Sequence, residues 1–480
     1  MLQGIPPYKL AYNMKFPGTY AAYAGIMALL GQNITAIHLG LLLINLATIL
    51  VLFFLARRLV STTAGVVAAT TYSVLSLSPS VQGFAAHATH FAVLPLLLGS
   101  LLLIDAKGRC WRLFASGLLF GVALLMKQPA GWFVLFGALF CFLQDAQTRG
   151  GFKKSLLCNL IFDAGALLPF AITCLLLCFA GVFNKFWFWA VDYARVYGTM
   201  VSLPGAWASF KLMTPPVIGW SWAMWSIAGI GLLISVWQIR ARLEAAFLVG
   251  FFLASAAAVC AGFYFRPHYF VFILPAIALL AGTAVARAQA ARFKYSHVVP
   301  LVIAGAAITL PLVGEHRYFF EIAPPAVPRY IYGESPFPEA IRIGDYLRAH
   351  TAPGDTIAVL GSEPEVYFYS QRHSATGYIY TYGLMEPQKY ARRMQDEMIH
   401  EIETKRPKYL VIVASDDSWK RRRNSDLSIF NWANEYSRDN YTAVGLINII
   451  DSNRTDYFFD DVPASVSSLR DYILVYQRKS

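Results

Sequence analysis

The residues of this chain with the means to do chemistry are few and mostly basic. Lys15 stands just before Pro17-Gly18, His87 and His90 flank Thr89 in the run HATHF, and Lys127-Gln128 separates two short apolar runs. Arg266-Pro267-His268-Tyr269 separates two more, and Asp192, Tyr193 and Arg195 follow the aromatic run Phe186–Trp189. Guanidinium groups offer bidentate donors to phosphate oxygens and ammonium groups offer a point charge, so a convergent set of Lys, Arg and His beside aromatics suits a lipid-linked phosphate. A plainer reading is that each cation reaches from its helix end to the membrane surface, and this reading fits Lys9, Lys185 and Lys211. Lys127 and Arg266 are hemmed in by apolar sequence, where an ionisable group is costly, and there function outweighs the plainer reading.

The elements that must position these residues follow from composition. The chain has 480 residues, 57% hydrophobic and 14% charged, with mean hydropathy +0.48. Soluble domains carry about 25% charged residues, so a wholly soluble enzyme, a disordered chain and a disulfide scaffold are excluded. Residues 1–330 hold 22 Lys+Arg against 7 Asp+Glu, and residues 331–480 hold 18 against 21. The net +12 therefore belongs to the apolar part, where basic loops orient a membrane protein. Nucleic acid is not an expected partner, because the polar part is mildly acidic. The six cysteines lie before residue 331 and none has zinc-ligand spacing with a histidine, so no metal site is expected from them.

Ten apolar runs are candidate spans: 36–55, 64–80, 91–105, 113–126, 131–144, 156–181, 216–238, 245–264, 268–286 and 297–313. Basic residues mark every second loop, at Arg57-Arg58, at Lys107, Arg109 and Arg112, at Arg149, Lys153 and Lys154, at Arg240 and Arg242, and at Arg287, Arg292 and Lys294. Those loops are assigned to the cytoplasm, which puts loops 81–90, 127–130, 182–215 and 265–267 and the tail outside. Segment 17–31 would extend only about 22 Å as a helix and reads as an aromatic-edged helix in the outer interface. An outside N-terminus with no helix before it leads to the expectation of one further helix upstream of Met1. The polytopic helical part is thus residues 1–320, about ten helices plus the interfacial one.

From residue 331 the apolar runs shorten to strand length: Thr356–Leu360, Lys408–Ala414, Ala443–Ile450 and Tyr472–Gln477. Amphipathic stretches Pro338–Arg348 and Gln388–Thr404 lie between them with helical spacing. Residues 331–480 are therefore expected to form a soluble α/β domain with a partly parallel sheet. Gly361-Ser362-Glu363-Pro364 has no phosphate-loop pattern, and nothing there points to a nucleotide.

Several stretches carry a resemblance: LQGIPPYKLAYNMKFPGTYAAYAGIMALLG, IHLGLLLINLATILVLFFLARRL, SLSPSVQGFAAHATHF, GVALLMKQPAGWFVLFGAL and FYFRPHYFVFILPAIALLAG. In order and spacing they resemble the C-type membrane glycosyltransferases with lipid-linked donors, in the bacterial branch of the protein O-mannosyltransferases and lipid A aminoarabinose transferases. The resemblance implies transfer of a sugar from a polyprenyl phosphate to an envelope lipid, glycan or protein, with inversion, at the outer face of the inner membrane. It also implies an outward α/β tail. It places Lys15 at the donor phosphate, although Phe16 interrupts the family's Lys-Pro order, and gives Arg266, His268 and Tyr269 the same role. Lys127 and Gln128 match a Lys-Gln element in the donor site, with His87, Thr89 and His90 as possible lining residues.

The family's catalytic Asp follows its first helix and has no counterpart here, and Thr89 takes a second acidic place. Seven carboxylates precede residue 331: Asp105, Asp145, Asp163, Asp192, Glu244, Glu315 and Glu321. The expected topology leaves Asp192 as the foremost outer candidate for catalysis, followed by Glu315 and Glu321. An ion pair with Arg195 is the alternative fate of Asp192. The cofactor expectation is none, with a divalent cation left open and the polyprenyl-phosphate sugar as donor substrate. A transporter of lipid-linked sugar, or a catalytically defective scaffold, are the alternatives from other classes. Neither inverted repeats nor broken helices in matching halves are evident.

Overall fold

The computed structural model describes residues 1–147, 151–291, 294–463 and 469–479, with the side chains of 145–147 left aside. Arg149 and Arg292, expected in basic loops, and the Asp145 side chain lie outside the described residues. Contacts divide the chain into two units. One comprises Met1–Gln3, Lys15–Phe183 and Ala190–Glu321, and the other Gly4–Met14, Asn184–Trp189 and Ile322–Ser480.

The first unit is helical. Its main helices are α1 (Pro17–Leu30), α2 (Ile34–Leu59), α3 (Thr62–Leu75), α4 (Ala88–Ile104), α5 (Cys110–Met126) and α6 (Gly131–Gln147). They continue as α7 (Phe152–Phe179), α8 (Leu203–Ile218), α9 (Trp222–Gln238), α10 (Leu243–Cys260), α11 (Leu274–Gln289) and α12 (Val299–Gly314). Four helical stretches, Ile34–Leu59, Phe152–Phe179, Leu203–Gln238 and Leu243–Phe263, are long and apolar enough to cross a membrane. Shorter apolar helices include α4, α5, α11 and α12. The expected run 64–80 is helical only to Leu75, because Pro79 opens a separate 3-10 turn and Gln82 takes a left-handed φ of 58°. The expected loop 182–215 is largely helical, with short turns at Phe183–Gly198 and then α8.

Lipid tails drive little association between apolar helices, so close backbone approach through small residues must do so. The α5–α7 contact follows that rule: a Cβ on Gly117 would collide with the Phe162 carbonyl, one on Gly121 with the Ala166 carbonyl, and one on Gly165 with the Phe114 carbonyl. Phe120 and Phe162 meet edge to face in this seam, 5.6 Å apart. Asn33 starts α2, its side-chain oxygen accepting from the Ala36 amide at 2.8 Å.

The second unit is an α/β layer. Strands β1 (Thr356–Leu360), β2 (His373–Ser374), β3 (Tyr409–Ala414), β4 (Tyr441–Ile449), β5 (Thr455–Phe459) and β6 (Asp471–Arg478) form one sheet in the order β2-β1-β3-β6-β4-β5. The β1 strand runs parallel to β2 and β3, and the remaining pairings are antiparallel. Helix α13 (Phe337–Ala349) lays Ile343 and Leu347 on a core of Ile357, Val359, Val411, Val413, Ile473 and Val475. Helix α14 (Ala391–Lys405) covers part of the expected amphipathic stretch and buries Met394, Met398 and Ile402. Strands β2 and β5 were not anticipated from the sequence.

Candidate functional site

The site is assembled at one end of the helical unit, beginning with α1. Pro17 takes the first helical position, where its missing N–H leaves no orphan and its fixed φ suits the turn. The Thr19 hydroxyl donates to the Met126 carbonyl at 2.8 Å, and a Cβ on Gly18 would collide with the Leu125 carbonyl. The start of α1 therefore lies on the last turn of α5, which ends at Lys127, and this brings Lys15 towards Lys127. Lys127 Nζ sits 4.3 Å from the centroid of the Tyr269 ring. Burial, then the positive charges of Lys15 and Arg266, hold the Lys127 ammonium well below the usual lysine range.

The turn before α4 supplies the second part. The Tyr23 hydroxyl donates to the carbonyl of Ala86, itself left-handed at φ 48°, and so fixes the backbone entering His87. His87 Nε2 bonds Gln82 Oε1 at 2.9 Å, and its ring stacks on that of His268 with centroids 4.0 Å apart and planes 17° apart. His268 meets Tyr269 edge-on at 4.8 Å. Burial is the main cause that pushes the His87 imidazole well below the ordinary histidine range. The charges of His90, Lys15, Lys127 and Arg266 add to it.

Arg266 follows a strained turn in which Gly262, Phe263 and Phe265 all have positive φ, at 73°, 60° and 47°. Its guanidinium donates to the Tyr197 hydroxyl at 3.1 Å and lies 5.4 Å from the Tyr264 ring centroid. Tyr264 in turn stacks on Tyr197 at 4.4 Å and 11°. An aromatic bracket thus aims the guanidinium.

The structure brings Lys15, His87, Lys127, Arg266, His268 and Tyr269 into one cluster. Gln128 opens the adjoining 3-10 turn, Gln128–Ala130. Thr89 and His90 lie in the first turn of α4, 0% and 4% exposed, and the His90 ring lies 6.4 Å from that of His87, within reach of the charge of Lys127. Asp192 is half-buried in the wide helical turn Phe188–Tyr193, and it is not among the charges acting on Lys127, His87 or His268. Among the described residues no ion pair joins it to Arg195. Glu315 faces the Ser78 hydroxyl with both carboxylate oxygens, at 3.0 and 2.9 Å. Lys185, expected to reach for the membrane surface, is instead ion-paired with Glu397 in the second unit. Gln82, Tyr197 and Tyr264 were missed by sequence reasoning. Only Tyr264 had a signal, its place two residues before Arg266.

Helix α4 also shows what lies opposite. Its far end is capped by Asp105, which pairs with Arg58 Nε at 2.8 Å and accepts from Arg112 through its carbonyl at 2.8 Å. The cluster and these basic loops are therefore separated by the 17 residues of α4, about 25 Å. Among the described residues no group of three or more His, Cys, Asp or Glu side chains is placed to hold a metal ion.

Residues 15–173 match the family described as dolichyl-phosphate-mannose-protein mannosyltransferase. A search among curated proteins returns no match. Among solved structures, ArnT from Cupriavidus metallidurans bound to undecaprenyl phosphate is similar at TM-score 0.53 and 13% identity, over 98% of this chain and 89% of that one. The Archaeoglobus fulgidus oligosaccharyltransferase tethered to an acceptor peptide is similar at TM-score 0.52 and 12% identity, over 95% and 68%. The same enzyme in complex with Zn and sulfate gives TM-score 0.54 at 14% identity, over 95% and 66%. At such identities the likeness is one of fold. The chain thus shares the fold of these membrane glycosyltransferases, and its residues 15–173 match the mannosyltransferase family.

Proposed function

We propose that the chain moves a sugar from a polyprenyl-phosphate donor to a hydroxyl of an envelope lipid, glycan or protein, at the outer membrane face and with inversion. The observation that carries this reading is the enclosure of Lys127 by the positive charges of Lys15 and Arg266. Like charges gathered in a low-dielectric place repel strongly, and an anion entering among them relieves that cost. A phosphodiester that departs as a phosphate gains negative charge during the reaction, so preset cations stabilise the transition state more than the ground state. ArnT was captured with undecaprenyl phosphate and the archaeal relative with an acceptor peptide, which supports a lipid phosphate on one side of the reaction and an envelope acceptor on the other.

The outer placement rests on charge. Arg58 and Arg112 gather at the far end of α4, and loops rich in Lys and Arg stay in the cytoplasm. Residues 1–320 then form the transferase domain of an inner-membrane protein, and residues 331–480 a domain on the periplasmic side. Asp192 keeps a proposed catalytic part through the acceptor, outside the phosphate cluster. The test is transfer from a radiolabelled polyprenyl-phosphate sugar in membranes holding the full chain. Labelled acceptor that disappears in Arg266→Ala supports the reading. Lipid carried across the bilayer with no product would replace transfer by transport.

A further inference from the structure

Glu315 stands at the wrong end of its own helix. It is the C-cap residue of α12, half-buried after the apolar run that ends at Gly314. Unsatisfied carbonyls give a helix C-terminus a partial negative charge, so a carboxylate there is disfavoured by the helix that carries it. What it gains comes from another element. Both carboxylate oxygens face the Ser78 hydroxyl, at 3.0 and 2.9 Å. A hydrogen bond to a carboxylate is about twice as strong as one between neutral groups.

Ser78 opens a turn that is folded as one piece. With its hydrogen given to Glu315, the Ser78 hydroxyl oxygen accepts from the Ser80 amide at 3.3 Å. The Ser78 carbonyl accepts from the amides of Val81 and Gly83, at 3.3 and 3.1 Å, and the Pro79 carbonyl from that of Gln82 at 3.0 Å. A Cβ on Gly83 would come within 2.5 Å of the Ser76 carbonyl oxygen, so the turn closes tightly. Its exit reaches the phosphate cluster: the Tyr23 hydroxyl holds the Ala86 carbonyl, and Gln82 Oε1 bonds His87 Nε2. Three residues past Glu315, the Tyr318 ring packs on Phe84 of the same turn, with centroids 5.8 Å apart. The segment after α12 therefore clasps the turn twice.

We propose that Glu315 is a positioning residue of the phosphate cluster, holding through Ser78 the turn that carries Gln82 and places the His87 ring on that of His268. The inference rests on the lipid-phosphate reading of that cluster. The effect passes along the backbone of residues 78–87, and any group that accepts from Ser78 at the same place can supply it. A binding constellation must be held to within about 0.5 Å by the bonds behind it, so a freed turn is read as lost affinity for the phosphate.

The experiment is titration of undecaprenyl phosphate into the full chain in detergent, with the melting temperature of each variant recorded beside it. Glu315→Ala is expected to weaken lipid binding about tenfold, the scale of one lost hydrogen bond to a charged group. Ser78→Ala is the milder change, should lose a similar amount, and carries the test if Glu315→Ala does not fold. The double variant should lose no more than the worse single one, because both remove one contact. Glu315→Gln still accepts from Ser78 and should recover most of the affinity. A melting temperature that falls while lipid affinity holds, or losses that add in the double variant, overturns the inference. So does a Glu315→Gln variant as weak as Glu315→Ala, since the charge rather than the turn would then be acting. In each of these cases the unaltered protein still binds the lipid and the transfer reading stands. An unaltered protein that does not bind the lipid at all removes both.

Discussion

Lys127 and Arg329 are both enclosed cations, yet their neighbours differ. The charges acting on Lys127 are those of Lys15 and Arg266. Arg329 instead pairs with Glu339, a carboxylate only 1% exposed that also accepts from Thr455 at 2.6 Å. The α/β unit repeats this pattern. Glu397 takes Lys185 and the Tyr378 hydroxyl, and Arg372 is held by Thr351 Oγ1 at 2.8 Å and by carbonyls of Arg348, Thr351 and Ser370. These three charges are answered from within the chain, while at Lys127 positive charge is compounded. An interior charge that serves folding is expected to be neutralised, whereas a site proposed to receive an anion is expected to keep its field.

The sharpest way to break the contrast is to strip the tail of an answered charge. Arg329→Ala leaves Glu339 buried without its cation, and the α/β unit should lose about 3–5 kcal/mol. Denaturant unfolding of the full chain, followed by hydrogen exchange in the strands, measures it. A loss under about 1 kcal/mol would mean that the interior pair matters no more than a surface one.

Lys127→Ala tests the other side. On the proposed reading of the cluster, removing one electrostatic donor should lower turnover by about 10²–10³, and exchange in the strands of the tail should stay as it was. Unchanged transfer would show that the cation is structural.

Glu363 sharpens the comparison, being a buried carboxylate with no ion pair among the described residues. It accepts from Ser418 at 2.9 Å, and burial raises its pKa to about 7 despite that bond. Its neighbour Glu365 is raised to about 8, by burial and then by the charge of Glu363. Since the folded protein holds these protons more tightly than the unfolded chain, their contribution is full below the ordinary glutamate range. It is lost as pH rises towards 7–8. Glu363→Gln should therefore stabilise the tail at pH 8 by about 1–2 kcal/mol and do little at pH 4.5. Equal unfolding midpoints at pH 8 would remove this account.

How far the sequence led depended on the range of the interactions. Long apolar runs are local, so α2, α7 and α10 stand close to where hydropathy alone puts them. Strand β1 coincides with the run Thr356–Leu360 because it is buried on both faces of a partly parallel sheet. Strand β5 stayed hidden since TDYFF has no fully buried position to mark it, and β2 has just two residues. Lys127 and Arg266 stood out as ionisable groups in apolar surroundings. The Tyr197 hydroxyl that aims Arg266 lies 69 positions away, and the Glu397 that claims Lys185 lies 212 away. No spacing rule reaches such partners. Gln82 escaped for another reason: its part depends on a left-handed backbone turn that nothing in PSVQG announces.

The smallest expected effect lies on the tail's surface, where a neutralised charge should hardly matter. Lys408 pairs with Asp355 at 3.0 Å, but the two side chains are 42% and 29% exposed. Water competes for both, and exposed pairs contribute about 0.2–1 kcal/mol. The Ala352 amide donates to the same carboxylate at 2.7 Å and is the largest cause holding it below the usual aspartate range, ahead of Lys408. A depressed carboxylate adds stability above its unfolded pKa and loses it as pH falls through the folded one. Lys408→Gln should thus cost less than about 1 kcal/mol at pH 7 and leave most of the acid-side loss in place. A cost approaching that of Arg329→Ala would mean that exposure does not grade the tail's ion pairs. The difference drawn between an answered interior charge and an answered surface charge would then vanish.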